Sequence, residues 1–274
     1  GGDELLRLAI TTFLNPGESL GVAQPSYSLY SVLAAVQDCP VIEVPLNSEW
    51  GMRKDFSEIL NKKSAKMAIV VNPHAPSGRL TSAKQLGNLA NEFKGVLMID
   101  EAYVNFIDPE LGYDSIQLLK ECKNILILRT LSKGYSLAGL RFGYGMANTG
   151  IIEPMLTKTK DSYNVNGISQ RLATVALKNK KYAEKTWQAV RGERKRLSSN
   201  LKNMGLNCEP SQSNFILVTI PETFAGGAAN VYQLLKEKGI FIRYFDKDRL
   251  RDKLRITIGT TAENDKLLTA LRNL

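Results

Sequence analysis

Ile125 to Gly145, ILILRTLSKGYSLAGLRFGYG, is the stretch from which the rest of the chain can be read. Its leucine and β-branched run, Ile125 to Leu128, reads as a buried strand, and Thr130, Ser132 and Lys133 follow it at once, with Arg141 eight residues beyond the lysine. In open α/β sheets, ligands bind where the carboxyl ends of strands open into loops. A lysine there, with two hydroxyls and a guanidinium close in sequence, suits a phosphorylated carbonyl compound: the amine forms a Schiff base while hydroxyls and guanidinium take the phosphate oxygens. Taken alone, a Ser-Lys pair reads more simply as a solvated loop.

Working outward toward the amino terminus, Asp3 to Phe13 has the apolar spacing of an amphipathic helix, with Asp3 and Glu4 in its first turn. Ser19 to Ala23, Val41 to Val44, Met67 to Val71 and Val96 to Ile99 read as strands. Tyr27 to Val36, Arg53 to Leu60, Ser82 to Phe93 and Ile116 to Lys120 read as helices between them. This alternation predicts an α/β fold with a mostly parallel sheet. Beyond the lysine stretch, Phe142 to Met146 adds a strand and helices dominate from Ile151 to about Met204. Strands at Asn214 to Ile220, Ile240 to Arg243 and Leu254 to Ile258, with helices at Ala228 to Lys238 and Ala262 to Leu271, then predict a smaller α+β unit. The division expected is a large domain over 1–178, a long linking helix over 179–205 and a small carboxyl-terminal domain over 206–274.

The 274 residues are 43% hydrophobic and 23% charged, enough for one large core and a smaller lobe and unlike a disordered chain. The net charge of +9 comes from scattered residues, and the main basic cluster, Arg191 to Lys202, falls on a solvated helix, which argues against a nucleic-acid partner. Cys39, Cys122 and Cys208 are widely spaced and His74 is the one histidine, so no metal site is expected. No apolar run reaches the length of a membrane span and no signal peptide is visible, so the sequence reads as cytoplasmic.

Asp100 closes the apolar run VLMID. A carboxylate at a buried strand end needs a cationic or donor partner, since leaving it unpaired would raise its pKa at a cost of several kcal/mol. A protonated pyridine nitrogen would be such a partner; backbone amides are the plainer one and a metal the third. Tyr103 can reach a phenolic oxygen on the same ring or merely cap the sheet edge. Tyr27, after Pro25 and Ser26, can lie flat on a heteroaromatic ring or fill the core margin. Gly2, Asp3 and Glu4 offer free backbone amides at a helix start, suited to a phosphate, although many helices begin with glycine. Arg243 in FIRYF and Arg255 in LRITIG lie on strands of the smaller unit, where they can clamp an anion between domains or simply face solvent.

GGDELL at Gly1, PSYSLY at Pro25, NPHAPSG at Asn72, DEAY at Asp100, LRTLSKGYSLAGLRFGYG at Leu128, YNVN at Tyr163 and LRITIG at Leu254 stand in the order found in histidinol-phosphate aminotransferases. The chain resembles that family from end to end. These are class II aminotransferases of fold type I that depend on pyridoxal 5'-phosphate, and DEAY together with SK and AGLR is more specific for fold and cofactor than for substrate. The resemblance implies that Lys133 holds the cofactor and shuttles the proton, that Asp100 pairs with the pyridinium nitrogen, that Tyr103 donates to the phenolic oxygen and that Tyr27 stacks on the ring. It implies a phosphate cup of Gly2, Asp3, Thr130, Ser132 and Arg141, with Arg255 and Arg243 for the substrate's anionic groups. The activity implied is transamination between histidinol phosphate and 2-oxoglutarate in a homodimer. Aromatic amino-acid aminotransferases and threonine-phosphate decarboxylases share nearly all of these residues, and a non-catalytic cofactor-binding relative is the alternative from another class.

Two departures from the family pattern bear on that expectation. Where the family has NPNNPTG, this sequence has Ala75 in place of the asparagine that donates to the phenolic oxygen, which leaves Tyr103 as the main partner, with His74, one residue out of register, as the weaker alternative. Family members also carry a segment before the GGDE motif, including a tyrosine lent to the neighbouring subunit's cofactor phosphate, whereas these 274 residues start at the motif itself.

Overall fold

A computed structural model describes residues 1–274. Its larger sheet is built from β1 (Leu20–Gln24), β2 (Val41–Pro45), β3 (Met67–Val71), β4 (Val96–Asp100), β5 (Ile125–Thr130) and β6 (Gly143–Ala147) in the order β2-β1-β3-β4-β5-β6. The first five are mutually parallel, and β6 pairs antiparallel with β5. The helices α1 (Gly2–Phe13), α2 (Leu29–Val36), α3 (Phe56–Lys62), α4 (Ala83–Glu92) and α5 (Leu118–Glu121) cover its two faces. Strands covered on both faces are apolar at consecutive positions, which is why MAIVV and ILIL show no polar alternation. Met67, Ile69, Val71, Met98, Leu126 and Leu128 pack on Leu6, Ala9, Ile10 and Tyr30. Ala68, Val70, Leu97, Ile99, Ile125 and Ile127 pack on Phe56, Leu60, Leu86 and Leu89.

Register then decides what meets at the strand ends. Asp100 lies opposite Val71 on one side and Leu128 on the other, so the NPHAPSG turn, DEAY and the lysine loop all emerge from one edge. The turn is anchored by Asn72, whose side chain exchanges hydrogen bonds with the Thr81 backbone. Behind it, the buried Glu101 accepts from Tyr113 and from Arg129, each at 2.7 Å. Ser82 and Gln85 form a capping box that starts α4 after the turn.

After α6 (Thr149–Pro154) and α7 (Gly167–Lys178), the 24-residue α8 (Lys180–Asn203) leads to a second sheet. It contains β7 (Asn207–Cys208), β8 (Phe215–Thr219), β9 (Arg243–Tyr244) and β10 (Lys253–Thr257) in the order β7-β8-β10-β9, antiparallel throughout, with α9 (Gly227–Glu237) and α10 (Thr261–Arg272) packed on it. β9 is shorter than the strand expected from Ile240 to Arg243. The chain uses Gly239, at φ 69°, and Ile240, whose amide donates to the Leu235 carbonyl, to close α9, so pairing begins only at Arg243. α2 likewise begins at Leu29 rather than Tyr27, which leaves Tyr27 in the loop before the helix.

α8 works in two halves. Ala183 and Trp187 pack with Phe106 beside the larger sheet, and Leu197 and Leu201 belong to the core of the smaller one. Trp187 Nε1 donates to the carbonyl of Gly134, next to Lys133. Between these halves, the buried Arg194 donates from Nη1 to the carbonyls of Phe106 and Ser213 at 2.8 and 2.9 Å and from Nη2 to Asp108 at 3.0 Å. It joins the segment after DEAY, the long helix and the entry to β8 at one point. Breaking a buried ion pair leaves its partners unsatisfied, so Arg194→Met is expected to cost about 3 kcal/mol of stability in urea unfolding; a loss within about 0.5 kcal/mol, typical of a surface change, would contradict this role.

Candidate active site

A cavity of about 370 Å³ opens at the carboxyl ends of β3, β4 and β5 and is roofed by β9 and β10 of the second sheet. Gly2, Asp3, Tyr27, Asp100, Tyr103, Thr130, Ser132, Lys133, Arg141, Arg243 and Arg255 all line it. Residues separated by up to the whole length of the chain therefore meet in one place.

Asp100 is its buried floor. Tyr30, fully enclosed in α2, donates to Asp100 Oδ2 at 2.7 Å, and the Ala102 amide donates to Oδ1 at 3.0 Å. Burial pushes the carboxyl up from 3.8 to about 6, opposed by these two hydrogen bonds and reinforced by the charges of Asp3 and Glu101. A shift of that size is about 3 kcal/mol against the charged form. The floor thus calls for a cationic donor from within the cavity. Lys133 is exposed on the loop after β5, with its Nζ 5.8 Å from the centre of the Tyr103 ring. Tyr103 packs edge-on against Phe215 of β8, and Tyr27 packs edge-on against Tyr30.

The wall beside Lys133 is rich in donors. Thr130 Oγ1 bonds Ser132 Oγ at 2.9 Å and accepts from the Ser132 amide at 3.1 Å. The Gly2 and Asp3 amides lie in the first turn of α1, where backbone donors have no acceptor within the helix. Gly143 lets this turn approach β6, since a Cβ there would lie 2.9 Å from the Gly2 nitrogen. Arg141, at φ 52°, donates from Nη2 to Asp3 Oδ2 at 3.1 Å, so its guanidinium is held at the mouth of this wall. Amides, hydroxyls and a guanidinium converging at a helix start fit a phosphate, and the donor-seeking carboxylate of Asp100 fits a protonated ring nitrogen. The residues present are those that would hold pyridoxal phosphate.

On the roof, Arg255 lies over Phe215 and Phe245, 4.9 and 5.5 Å from their ring centres, and Arg243 lies over Phe245. Burial, and then the charge of Arg243, hold the Arg255 guanidinium below its usual pKa, with Tyr103 acting in the other direction. Its Nε is buried and makes no hydrogen bond. A half-buried cation without an acid favours an anionic ligand.

Ala75 lines the cavity, and His74 does not replace the lost donor. Its Nε2 donates to the Pro25 carbonyl at 2.9 Å, which leaves Nδ1 to accept from Ser77 Oγ at 2.8 Å, and the ring stacks on Trp50. Both nitrogens are committed away from the cavity, one residue out of register with it. Sequence reasoning missed Tyr30, whose only signal was its three-residue spacing from Tyr27, one helical turn deeper.

The sequence profile of aminotransferase class I and II matches residues 1–271. The chain belongs to that family. It is 39% identical to the histidinol-phosphate aminotransferase of Microcystis aeruginosa and 38% identical to histidinol-phosphate aminotransferase 1 of Trichormus variabilis, in each case over 100% of this chain and 75% of the relative. The crystal structure of the histidinol-phosphate aminotransferase from Clostridium acetobutylicum superposes with a TM-score of 0.89 at 26% identity, covering 100% of this chain and 81% of that one. The Sinorhizobium meliloti histidinol-phosphate aminotransferase, solved in complex with pyridoxal-5'-phosphate, shares the fold with a TM-score of 0.89 at 24% identity, over 100% of this chain and 74% of that one. The architecture is the α/β fold of the type I pyridoxal-phosphate enzymes.

His74 yields a prediction that the single histidine makes clean. Burial, assisted by Arg249 and opposed by the Pro25 bond, lowers its pKa from 6.5 to about 4. The unfolded chain therefore takes up this proton first, and the share of stability due to neutral His74 is complete above pH 6.5 and lost as the pH falls toward 4. The imidazole NMR signals of the folded protein are expected to titrate near 4; a midpoint near 6.5 would show that the ring is not enclosed as described.

Proposed function

We propose that this chain carries out transamination between histidinol phosphate and 2-oxoglutarate with pyridoxal phosphate as cofactor. The observation that carries the reading is a buried carboxylate, Asp100, in the same cavity as a lysine and roofed by arginines without acidic partners. The names of the relatives, which the chain matches from end to end, support the substrate. When bound, pyridoxal phosphate supplies a ring that takes up the electron pair left when a proton departs from the substrate carbon.

The residues divide the remaining work. Asp100, ionised once it faces a cation, keeps the proton on the ring nitrogen. Tyr103 donates to the phenolic oxygen, the more so because Ala75 brings no donor, and Tyr27 covers the ring face. The Gly2 and Asp3 amides, Thr130, Ser132 and Arg141 bind the phosphate and so fix the ring in the cavity. Lys133 would anchor the cofactor and serve as the base that takes the proton from the substrate carbon and as the acid that returns it. Arg255 and Arg243 orient the substrate by its anionic groups. The larger unit over 1–178 would carry the cofactor, with α8 linking it to a smaller unit that closes over the substrate.

We also place the enzyme as a homodimer. Tyr163 and Tyr182, 96% and 80% exposed, together with exposed Ile168, Leu172 and Val175, form an apolar stretch along α7 and its flanks suited to a second copy. Three free, buried cysteines suit a reducing compartment, and the cytoplasm is the location proposed.

Lys133→Ala is expected to abolish the visible absorption band that wild-type protein develops with pyridoxal phosphate and to lower transamination of histidinol phosphate by on the order of 10³-fold or more. The wild-type product should be the keto compound without release of carbon dioxide. A band that persists in Lys133→Ala would remove the lysine from its role, and carbon dioxide from the wild type would replace transamination by decarboxylation.

A further inference from the structure

An arm of the smaller unit crosses onto the larger sheet at the cavity mouth. Residues 245–250 follow β9, and Phe245, Lys247 and Leu250 line the cavity. The acids on either side of Lys247 are both engaged with another residue. Arg251 donates from Nε to Asp246 and from Nη1 to Asp248, each at 2.8 Å, which gives the two acids that flank the lysine a cation other than Lys247. Arg249 donates to the Leu46 and Asn47 carbonyls at 2.7 Å each and lies 4.6 Å from the centre of the Trp50 ring. Leu250 is buried in the core of the larger sheet.

The anchorage is built at some cost. Arg249 and Trp50 both adopt left-handed backbone angles, φ 66° and 63°, a conformation that bulky residues keep only where surrounding contacts enforce it. Asn47 Oδ1 accepts from the Glu49 and Gly51 amides and holds the turn that presents Trp50. The indole also stacks on His74, which bonds the Pro25 loop. The arm is therefore tied to two other segments of the cavity wall.

Lys247 thus joins Arg243 and Arg255, which lie opposite each other in the register of β9 and β10. None of the three belongs to an ion pair. Three cations around one mouth exceed what a single carboxylate neutralises and match a phosphate, which carries roughly −1.5 to −2 near neutral pH. Resting on the substrate reading above, we propose that Lys247 is a third anion-binding residue of this cavity, contacting the substrate's phosphate, and that Arg249 is the positioning residue that holds it there.

Equilibrium binding of histidinol phosphate and of histidinol to the cofactor-loaded protein isolates the phosphate contribution as a ratio of affinities. Losing one charge-assisted contact at a partly solvated site is expected to lower that ratio about tenfold in Lys247→Met. Lys247→Arg should recover most of it, and the salt dependence of histidinol phosphate binding should flatten in Lys247→Met alone. Arg249→Gln is expected to lower the ratio by weakening histidinol phosphate while histidinol binds as before. A wild-type protein without preference for histidinol phosphate overturns the substrate reading. A preference that survives in Lys247→Met overturns the role of Lys247, and one that survives in Arg249→Gln overturns the positioning role.

Discussion

The burial of the Asp100 carboxylate constrains everything around it. A strand covered on both faces delivers this acid to the floor of a cavity, where one tyrosine hydroxyl and one backbone amide meet only part of its demand for donors. Left so, it holds a proton up to about pH 6. A ligand that brings a positive donor to this point recovers the free energy withheld by burial, on the order of 3 kcal/mol. The parallel register of β3, β4 and β5 makes this possible, because it brings the proline-rich turn and the lysine loop level with the acid.

The same logic repeats on the roof with the sign reversed. Arg255 lies half-buried against aromatic rings without an acid, as Asp100 is buried without a base. Unsatisfied charges of opposite sign at the two ends of a cavity define the polarity of what fits between them: cationic at the floor, anionic at the roof. A cofactor with a protonated ring nitrogen and a substrate with an acidic terminus meet both demands. The smaller unit is bound into this arrangement through Arg194 and through the arm carrying Arg249, so the roof is held in place by contacts remote from the chemistry.

Much of this was legible in the sequence because covered parallel strands leave an unusual signature. VLMID and ILILRT are apolar without alternation and end in polar groups, so the position of Asp100, Thr130 and Lys133 at strand ends follows from the pattern alone. Arg243 and Arg255 were visible as charges in strands, yet nothing in sequence showed that they face each other across β9 and β10. Tyr30 had no sequence signal of its own, since its hydroxyl finds Asp100 across 70 positions of chain. His74 does not stand in for the missing asparagine because adjacency to Ala75 says nothing about direction: consecutive side chains in the turn point to different partners. Lys247 has no local signal, because its significance lies in Arg251 engaging the acids on either side of it.

Below about pH 6 Asp100 carries a proton that it must give up when a cationic partner arrives. Calorimetric titration of the cofactor-free protein with pyridoxal phosphate across pH 5 to 7, in wild type and in Asp100→Asn, tests this directly, since the pH range brackets a carboxyl at about 6. Below that value, wild-type binding must release a proton that the variant cannot release, so wild-type affinity is predicted to weaken relative to the variant as the pH falls. The same pH dependence in both proteins would contradict the account.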